Sequence, residues 1–283
     1  MSQKSKTAKK KTQQKVTLDL TRRDFLTIAA TAAGSAVAAQ VVTTGALSPF
    51  ARLKQRQVTG AAAEQKALGD YQWGMVIDLQ KCIGCQYCQR ACSATNDVAP
   101  DKPWNIVVED RTASGHKFFF SRPCLHCQDA PCVEVCPVQA TYHREDGLVI
   151  MDYDRCIGCR YCEVACPYDA RKFNWEERTD ANSHIPTWGI AEVERRPRGV
   201  VEKCTFCVHR IDAGLEKGLM PGEDREATPA CVNVCPVGAR IFGNLKDPSS
   251  QISQVIASNP TLRLREELGT EPSVYYIPPK EEG

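Results

Sequence analysis

The sequence predicts an α+β fold in which one small unit is built twice and connected by long loops. Sixteen cysteines fall into four groups of four, and short β-type segments lead into the groups. The groups are Cys82, Cys85, Cys88 and Cys92; Cys124, Cys127, Cys132 and Cys136; Cys156, Cys159, Cys162 and Cys166; and Cys204, Cys207, Cys231 and Cys235. The first group nearly copies the third, and residues 131–140 nearly copy residues 230–239. Repetition of this kind indicates a duplicated unit.

The spacing within the groups indicates iron–sulfur clusters. In residues 156–167, Cys-Ile-Gly-Cys-Arg-Tyr-Cys-Glu-Val-Ala-Cys-Pro, three thiolates recur every third residue and a fourth precedes a proline. The fourth cysteine of such a run characteristically ligates a different cluster from the first three, which ties two clusters together. Sixteen thiolates in groups of four therefore predict four [4Fe-4S] clusters in two units of the bacterial two-cluster ferredoxin type. The clusters would hold much of the fold, because short units bury little apolar surface.

Two other uses of dense cysteine fit the pattern less well. A disulfide scaffold is typical of small secreted proteins, but cysteines three residues apart could not all find separate partners in register. Zinc sites often use paired Cys-x2-Cys. Zinc would leave the third and fourth cysteines of the first and third groups without a role.

The N-terminal segment, residues 1–45, predicts an export signal. Residues 1–23 hold eight Lys or Arg against one Asp, and Thr-Arg-Arg-Asp-Phe-Leu contains Arg22 and Arg23 before an uncharged, weakly apolar stretch. This resembles the twin-arginine signal, whose route exports folded proteins. A protein that must acquire clusters before export suits that route. Cleavage of the signal and its retention as an anchor both stay open, and no aromatic residue accompanies the lysines as nucleic-acid binding would favour.

The rest of the chain divides by composition. The predicted segments are a linker at 46–73, a four-cluster core at 74–245 with one lobe at 74–115 plus 190–245 and the other at 116–189, and a C-terminal partner-binding tail at 246–283. Predicted strands lie at 75–78, 118–121, 140–143, 148–151 and, as a strand or extended arm, 274–277. Predicted helices lie near 61–68, at 208–217 and within 249–268.

Several residues beside the cysteines have predicted roles. Gly84 and Gly158 would let the loops turn so that backbone N–H groups face the clusters, and the isoleucine before each glycine would cover the cluster. Tyr87 and Tyr161 would pack against the protein, with electron relay as the alternative.

The sequence offers no catalytic centre of its own. Sixteen cysteines already satisfy four clusters, so His126 and His209 would act outside the iron ligand set. There is no Gly-rich nucleotide loop, nucleophile motif or unassigned carboxylate and histidine cluster. The chain is therefore predicted to be non-catalytic.

The four ordered groups, with 23 residues between Cys207 and Cys231, resemble the iron–sulfur subunit of the dimethyl sulfoxide reductase family over about residues 73–245. Tetrathionate- and polysulfide-reductase-like subunits with their own twin-arginine signal are similar. The resemblance implies that fourth cysteines are exchanged between groups. The implied ligand sets are site 1, Cys82, Cys85, Cys88 and Cys235; site 2, Cys204, Cys207, Cys231 and Cys92; site 3, Cys124, Cys127, Cys132 and Cys166; and site 4, Cys156, Cys159, Cys162 and Cys136. Ser93 departs from the proline that follows the last cysteine of the other groups.

The resemblance also implies a function. An electron-transfer subunit would relay single electrons through four clusters, between a polytopic quinone-interacting membrane subunit and a molybdopterin catalytic subunit. Twin-arginine export would place it peripherally on the periplasmic face of the cytoplasmic membrane. The alternatives are the electron-transfer subunit of a periplasmic hydrogenase, or a free polyferredoxin carrier or redox sensor.

Overall fold

The computed structural model describes residues 67–280 and has mixed short strands and helices, which confirms the α+β class. The strands are β1 (Trp73–Asp78), β2 (Ile106–Arg111), β3 (Lys117–Arg122), β4 (Thr141–His143), β5 (Val149–Met151), β6 (Arg171–Phe173), β7 (Val201–Lys203), β8 (Arg240–Asn244) and β9 (Val274–Ile277). The helices are α1 (Tyr87–Thr95), α2 (Pro131–Glu134), α3 (Tyr161–Ala165), α4 (Val208–Glu216), α5 (Ala230–Asn233) and α6 (Gln251–Ser258).

The largest sheet has the order β8-β1-β9. Strand β1 pairs antiparallel with β8 and parallel with β9, so that Met75 faces Phe242 on one side and Val274 on the other. Every residue of β1 is buried. Trp73 at its start stacks between Tyr71 and the Phe242 ring. The strand that leads into the first cysteine group is therefore held on both sides by strands from the C-terminal part of the chain.

The other described strands form three two-stranded antiparallel sheets: β2 with β3, β4 with β5, and β6 with β7. The predicted hairpin at 140–151 is confirmed as β4 and β5, and the predicted strands at 75–78 and 118–121 lie within β1 and β3. The helices predicted at 208–217 and within 249–268 correspond to α4 and α6. Ser250 begins α6 by accepting a hydrogen bond from the Ser253 N–H, a common N-terminal cap.

The predicted segment boundaries differ from the observed sheets. The β2–β3 hairpin crosses the boundary expected at 115–116, and the β6–β7 pair crosses the one expected at 189–190. Trp73, expected in a linker, starts β1, and β9 brings part of the expected tail into the central sheet. Short cluster-binding units bury little apolar surface alone, so their strands pair with neighbouring segments.

Ser93 explains a difference between the two most similar cysteine groups. Helix α1 continues through Cys92 to Thr95, whereas α3 ends at Ala165, just before Cys166 and Pro167. Proline restricts the residue before it and cannot continue a helix, but Ser93 has no such effect. Its hydroxyl instead donates to the Val98 carbonyl at 2.7 Å, which fixes the turn after α1.

Among residues 67–280, no helix has the length and apolar character needed to span a bilayer. The predicted export signal at 1–45, with Arg22 and Arg23, lies outside the described residues, as does nearly all of the helix predicted near 61–68. At the edge of the described chain, Leu68–Asp70 forms a single 3-10 turn.

Candidate iron–sulfur centres

Three cavities are each lined by four cysteines from two sequence groups. Site 1 gathers Cys82, Cys85 and Cys88 with Cys235, and sites 3 and 4 likewise combine three members of one group with the last cysteine of another. The same donor set, four cysteines with three from one group and one from another, lines each cavity and indicates three copies of one kind of site.

The four cysteines of site 2 are the most deeply placed. Cys92, Cys204, Cys207 and Cys231 are all buried. Burial raises the pKa of the Cys92 thiol well above its usual value, and the neighbouring Cys204, Cys207 and Cys231 raise it further. The structure therefore brings together the same four residues that the family resemblance implies for site 2.

Positive φ angles shape the loops of the first and third groups. Gly84 and Gly158 have φ of 70° and 68°, and Gln86 and Arg160, each directly before a helix, have φ of 61° and 63°. A Cβ on Gly158 would lie well under 3.0 Å from the Gly199 carbonyl oxygen. Only glycine fits both this backbone conformation and this close approach.

A second repeated turn follows the last cysteine of the second, third and fourth groups, in the pattern Cys-Pro-x-x-Ala. The residue before the alanine has positive φ in each copy, at Gln139, Asp169 and Gly238. This turn directs the alanine N–H toward sulfur: Ala140 donates to Cys136 Sγ at 3.2 Å and Ala239 donates to Cys235 Sγ at 3.3 Å. The repeated alanine is the sequence signal for these donors, and it was not recognised from the sequence alone.

These backbone donors affect the charge state of the thiols. Burial would raise the pKa of Cys136, but backbone N–H groups from residues 138–141 hold it below its usual value. An N–H that points at sulfur favours the anionic thiolate. The turn therefore prepares this cysteine for iron before any metal is bound.

Two asparagine side chains also donate to cysteine sulfur. Asn105 Nδ2 lies 3.2 Å from Cys88 Sγ, and Asn96 Nδ2 lies 3.5 Å from Cys207 Sγ. Both asparagines are buried. Neither asparagine belongs to a sequence motif, and Asn105 lies in the loop before β2. The sequence alone therefore gave no signal for these two donors.

The buried thiols show which metal chemistry the donors suit. Burial raises the pKa of Cys127 and of Cys231 to about 12 in each case. Such thiols become thiolates only when a cationic centre compensates the negative charge. Quartets of soft anionic sulfur, with N–H donors aimed at them, fit the ligand set of [4Fe-4S] clusters.

The residues next to the ligands are more exposed than expected. Ile83 and Ile157 line sites 1 and 4, but 56% and 64% of their surfaces remain exposed, so they cover the cavities incompletely. Tyr87 packs against Trp188, with ring centroids 4.7 Å apart, as predicted. The packing prediction is wrong for Tyr161, which is 62% exposed.

The two histidines near the ligands have different environments. His126 is fully buried, accepts the Val149 N–H at Nδ1 over 3.1 Å, and stacks on Phe206 with ring centroids 3.9 Å apart. His126 and Phe206 hold matching positions before the second cysteine of their groups, so their rings meet where sites 3 and 2 approach each other. His209 instead pairs with Glu192 on α4's outer side.

Comparison with known proteins supports the cluster assignment. Two family models, each described as a 4Fe-4S dicluster domain, match residues 116–184 and residues 155–239, and a third, described as a 4Fe-4S binding domain, matches residues 73–94. These matches together include all four cysteine groups. The chain therefore binds several [4Fe-4S] clusters.

The curated relatives share most of their length with this chain. A Halobacterium salinarum protein, named as a candidate iron–sulfur subunit of dimethyl sulfoxide reductase, is 46% identical over 72% of this chain and 78% of its own. A selenate reductase subunit from Mesobacillus selenatarsenatis is 41% identical over 76% of this chain and 75% of its own. The iron–sulfur cluster-binding subunit of menaquinone reductase from Nitratidesulfovibrio vulgaris is 42% identical over 74% and 89%. The chain belongs to the electron-transfer iron–sulfur subunits of the dimethyl sulfoxide reductase family, which are not the catalytic subunits of their complexes.

Proposed function

We propose that this chain conducts single electrons through four [4Fe-4S] clusters, held in sites 1 to 4 and arranged in that order. When bound, each cluster accepts one electron and passes it on. The observation that carries the proposal is the burial pattern of the cysteines. Site 2 has only buried cysteines and site 3 has three, whereas site 4 has one and site 1 has none.

Contacts between neighbouring sites support a continuous row. Burial raises the pKa of Cys204 in site 2, and the thiolates of Cys231 and Cys124 raise it further, so the inner sites 2 and 3 lie close together. The charge of Arg240 acts on cysteines of both site 1 and site 2. In the same way, Arg171 connects site 3 with site 4. The protein's part is to fix spacing, exclude water from the inner sites and supply hydrogen bonds to sulfur.

The ligand sets support a fold of two duplicated two-cluster units. Sites 1 and 2 exchange their fourth cysteines, Cys235 and Cys92, and sites 3 and 4 exchange Cys166 and Cys136. Each exchange ties two clusters into one covalent frame, as in bacterial two-cluster ferredoxins. The unit formed by the second and third cysteine groups is inserted within the other.

The ends of the row face the surface and suit contacts with larger subunits. Beside site 4, exposed apolar side chains form an exit surface of Ile157, Tyr161, Val164 and Trp175, with Val164 86% exposed. Arg160 lies over the Trp175 ring at 4.4 Å and holds it in place. Apolar groups grouped around an exposed ligand, Cys159, are typical of a protein contact rather than of a solvated loop.

The family supplies the partners for these two ends. We infer that one end meets a molybdopterin catalytic subunit and the other a polytopic membrane subunit that reacts with quinone. The name of the menaquinone reductase relative supports the quinone link. The expected C-terminal contact with a partner, within residues 246–283, would use tail residues other than β9, since β9 itself belongs to the central sheet.

Arg22 and Arg23 support twin-arginine export to the periplasmic face of the membrane. Clusters are inserted in the cytoplasm, so a route for folded proteins is required if the chain crosses the membrane. Residues 46–66 would then connect the signal, or an anchor retained from it, to the cluster-binding core. Association with the membrane would be peripheral, through the quinone-interacting subunit.

Purification from native membranes tests the proposal. A tagged chain is extracted in mild detergent, and the accompanying proteins are identified by mass spectrometry. A tagged Val164→Asp variant is purified in the same way for comparison. We expect a molybdopterin subunit and a polytopic membrane protein with the native chain, and loss of one of them with the variant. Recovery of the native chain alone in the soluble exported fraction would instead indicate a free polyferredoxin carrier or sensor, and a hydrogenase subunit among the partners would indicate the other alternative.

A further inference from the structure

Two arginines occupy matching positions and are almost fully buried. Arg171 and Arg240 each stand five residues after the last cysteine of their group and begin strands β6 and β8. Their exposed fractions are 1% and 5%. Buried guanidinium groups are rare unless they have a strong counter-charge. The same positions after the other two groups hold Thr141 and Asp97.

Arg240 lies between sites 1 and 2. Its Nη1 donates to Cys231 Sγ of site 2 at 3.5 Å, and its Nη2 donates to Asn105 Oδ1 at 2.6 Å. Asn105 in turn donates to Cys88 Sγ of site 1 at 3.2 Å. A chain of hydrogen bonds therefore runs from one site to the next through the guanidinium group. Ser121 Oγ and Met75 Sδ complete its contacts.

Arg171 has the same arrangement between sites 3 and 4. Its Nη2 donates to Cys132 Sγ of site 3 at 3.0 Å and to Thr141 Oγ1 at 2.8 Å, and Nη1 contacts Met151 Sδ. Burial raises the pKa of the Cys162 thiol in site 4, while the charge of Arg171 and a hydrogen bond from it act in the opposite direction. One guanidinium thus serves sulfur atoms from both sites of the pair.

No carboxylate within residues 67–280 is paired with either guanidinium, since their partners are sulfur, amide and hydroxyl groups. The third buried arginine within the described residues differs in this respect, because Arg196 pairs with Glu202. The counter-charge of Arg171 and Arg240 is therefore the cysteine sulfur itself. One positive charge without a carboxylate partner therefore lies where each pair of sites meets.

We propose that Arg240 and Arg171 set the reduction potentials of the two cluster pairs, Arg240 for sites 1 and 2 and Arg171 for sites 3 and 4. An added electron brings one negative charge, and a fixed cation in a low-dielectric interior favours that state. The same cation also lessens the repulsion between two neighbouring sites when both carry the added charge. This inference rests on the ligand sets of the proposed function.

The experiment is an EPR-monitored potentiometric titration of the full chain in its purified complex. Arg171→Gln and Arg240→Gln remove the charge, while Arg171→Lys and Arg240→Lys retain it. Thr141→Asp keeps Arg171 but places a carboxylate against it, which offsets its field. Arg111→Gln is the matched control, because Arg111 is an exposed arginine at the far end of the β2–β3 hairpin.

We expect each glutamine variant to lower two of the four potentials, by about a tenfold change in the one-electron equilibrium constant, or about 59 mV. Arg171→Gln and Arg240→Gln should affect different pairs. Thr141→Asp should lower the same pair as Arg171→Gln, and the lysine and Arg111 variants should leave all four near their native values. If each arginine variant shifts a different two of the four reduction potentials, the cluster pairs are identified even when the individual EPR signals are not assigned to sites.

The inference is overturned if the glutamine variants carry full clusters with unchanged potentials, or if all four potentials shift together. If Arg171→Gln loses clusters, Thr141→Asp decides, because unchanged potentials in the Thr141→Asp variant contradict the role of Arg171. Failure of the proposed function would look different, because the native protein would then show fewer than four reducible clusters before any arginine is changed.

Discussion

Replacing Gly158 by alanine should dismantle site 4 through the backbone rather than through a ligand. Gly158 has φ of 68°, and a Cβ there would lie well under 3.0 Å from the Gly199 carbonyl oxygen and 3.0 Å from Phe173 Cε2. The left-handed conformation costs an L-residue about 1–2 kcal/mol. Overpacking against a backbone atom that cannot rotate away adds about 1–3 kcal/mol.

The chain offers two matched controls for this change. Gly115 has φ of 87° with nothing within 4 Å of an added Cβ, so Gly115→Ala carries the conformational cost alone, about 1–2 kcal/mol. At Gly84 the added Cβ would meet the Phe119 ring, a side chain that can move. We therefore expect the damage to rank Gly158→Ala first, Gly84→Ala second and Gly115→Ala last.

Cluster loss on heating measures this ranking directly. Iron content and visible absorbance are recorded for each variant as temperature rises, because unfolding of a cofactor protein is not a simple two-state equilibrium. Gly158→Ala should lose one cluster at a temperature at which Gly115→Ala keeps all of them. Equal retention in these two variants would refute the argument that the approach of Gly199 makes glycine necessary.

Three further predictions follow from the same structure. Cys136→Ser should impair the cluster of Cys156, Cys159 and Cys162, whereas Cys166→Ser should impair that of site 3; EPR spectra showing damage to each residue's own sequence group would contradict the exchange. Val164→Asp should weaken binding of a partner subunit without lowering iron content, while Val108→Asp, another exposed valine, should not; equal binding by both variants in pull-down assays would argue against the exit surface. Removal of the clusters by a chelator with an oxidant should abolish amide protection in β1 and β5, measured by hydrogen exchange, because buried thiols cannot hold these segments alone.

The local patterns of the sequence predicted much of the fold. Strict cysteine spacing fixed the groups, and apolar runs before them predicted β1 and the β4–β5 hairpin correctly. The pairing of β6 with β7 and of β1 with β9 was not predicted, because it joins segments far apart in sequence. Such pairing depends on which segments complete a buried sheet, and periodicity within one segment does not contain that information.

In the candidate centres, too, local sequence patterns predicted some residues and not others. Cysteines and the loop glycines could be found because their spacing repeats. Asn96, Asn105, Arg171 and Arg240 could not, because their contacts with cysteine sulfur appear only in the folded chain. The arginines do recur five residues after a final cysteine, but only burial distinguishes them from ordinary surface arginines.

The central claim is that the clusters conduct electrons rather than only hold the fold together. Titration of the purified complex to reducing and then to oxidising potentials, with each cluster followed by EPR, tests it most directly. The account predicts four one-electron transitions that retrace the same curve in both directions with no loss of iron. Clusters that fail to reduce, or that are lost during one cycle, would contradict electron conduction and indicate a structural role.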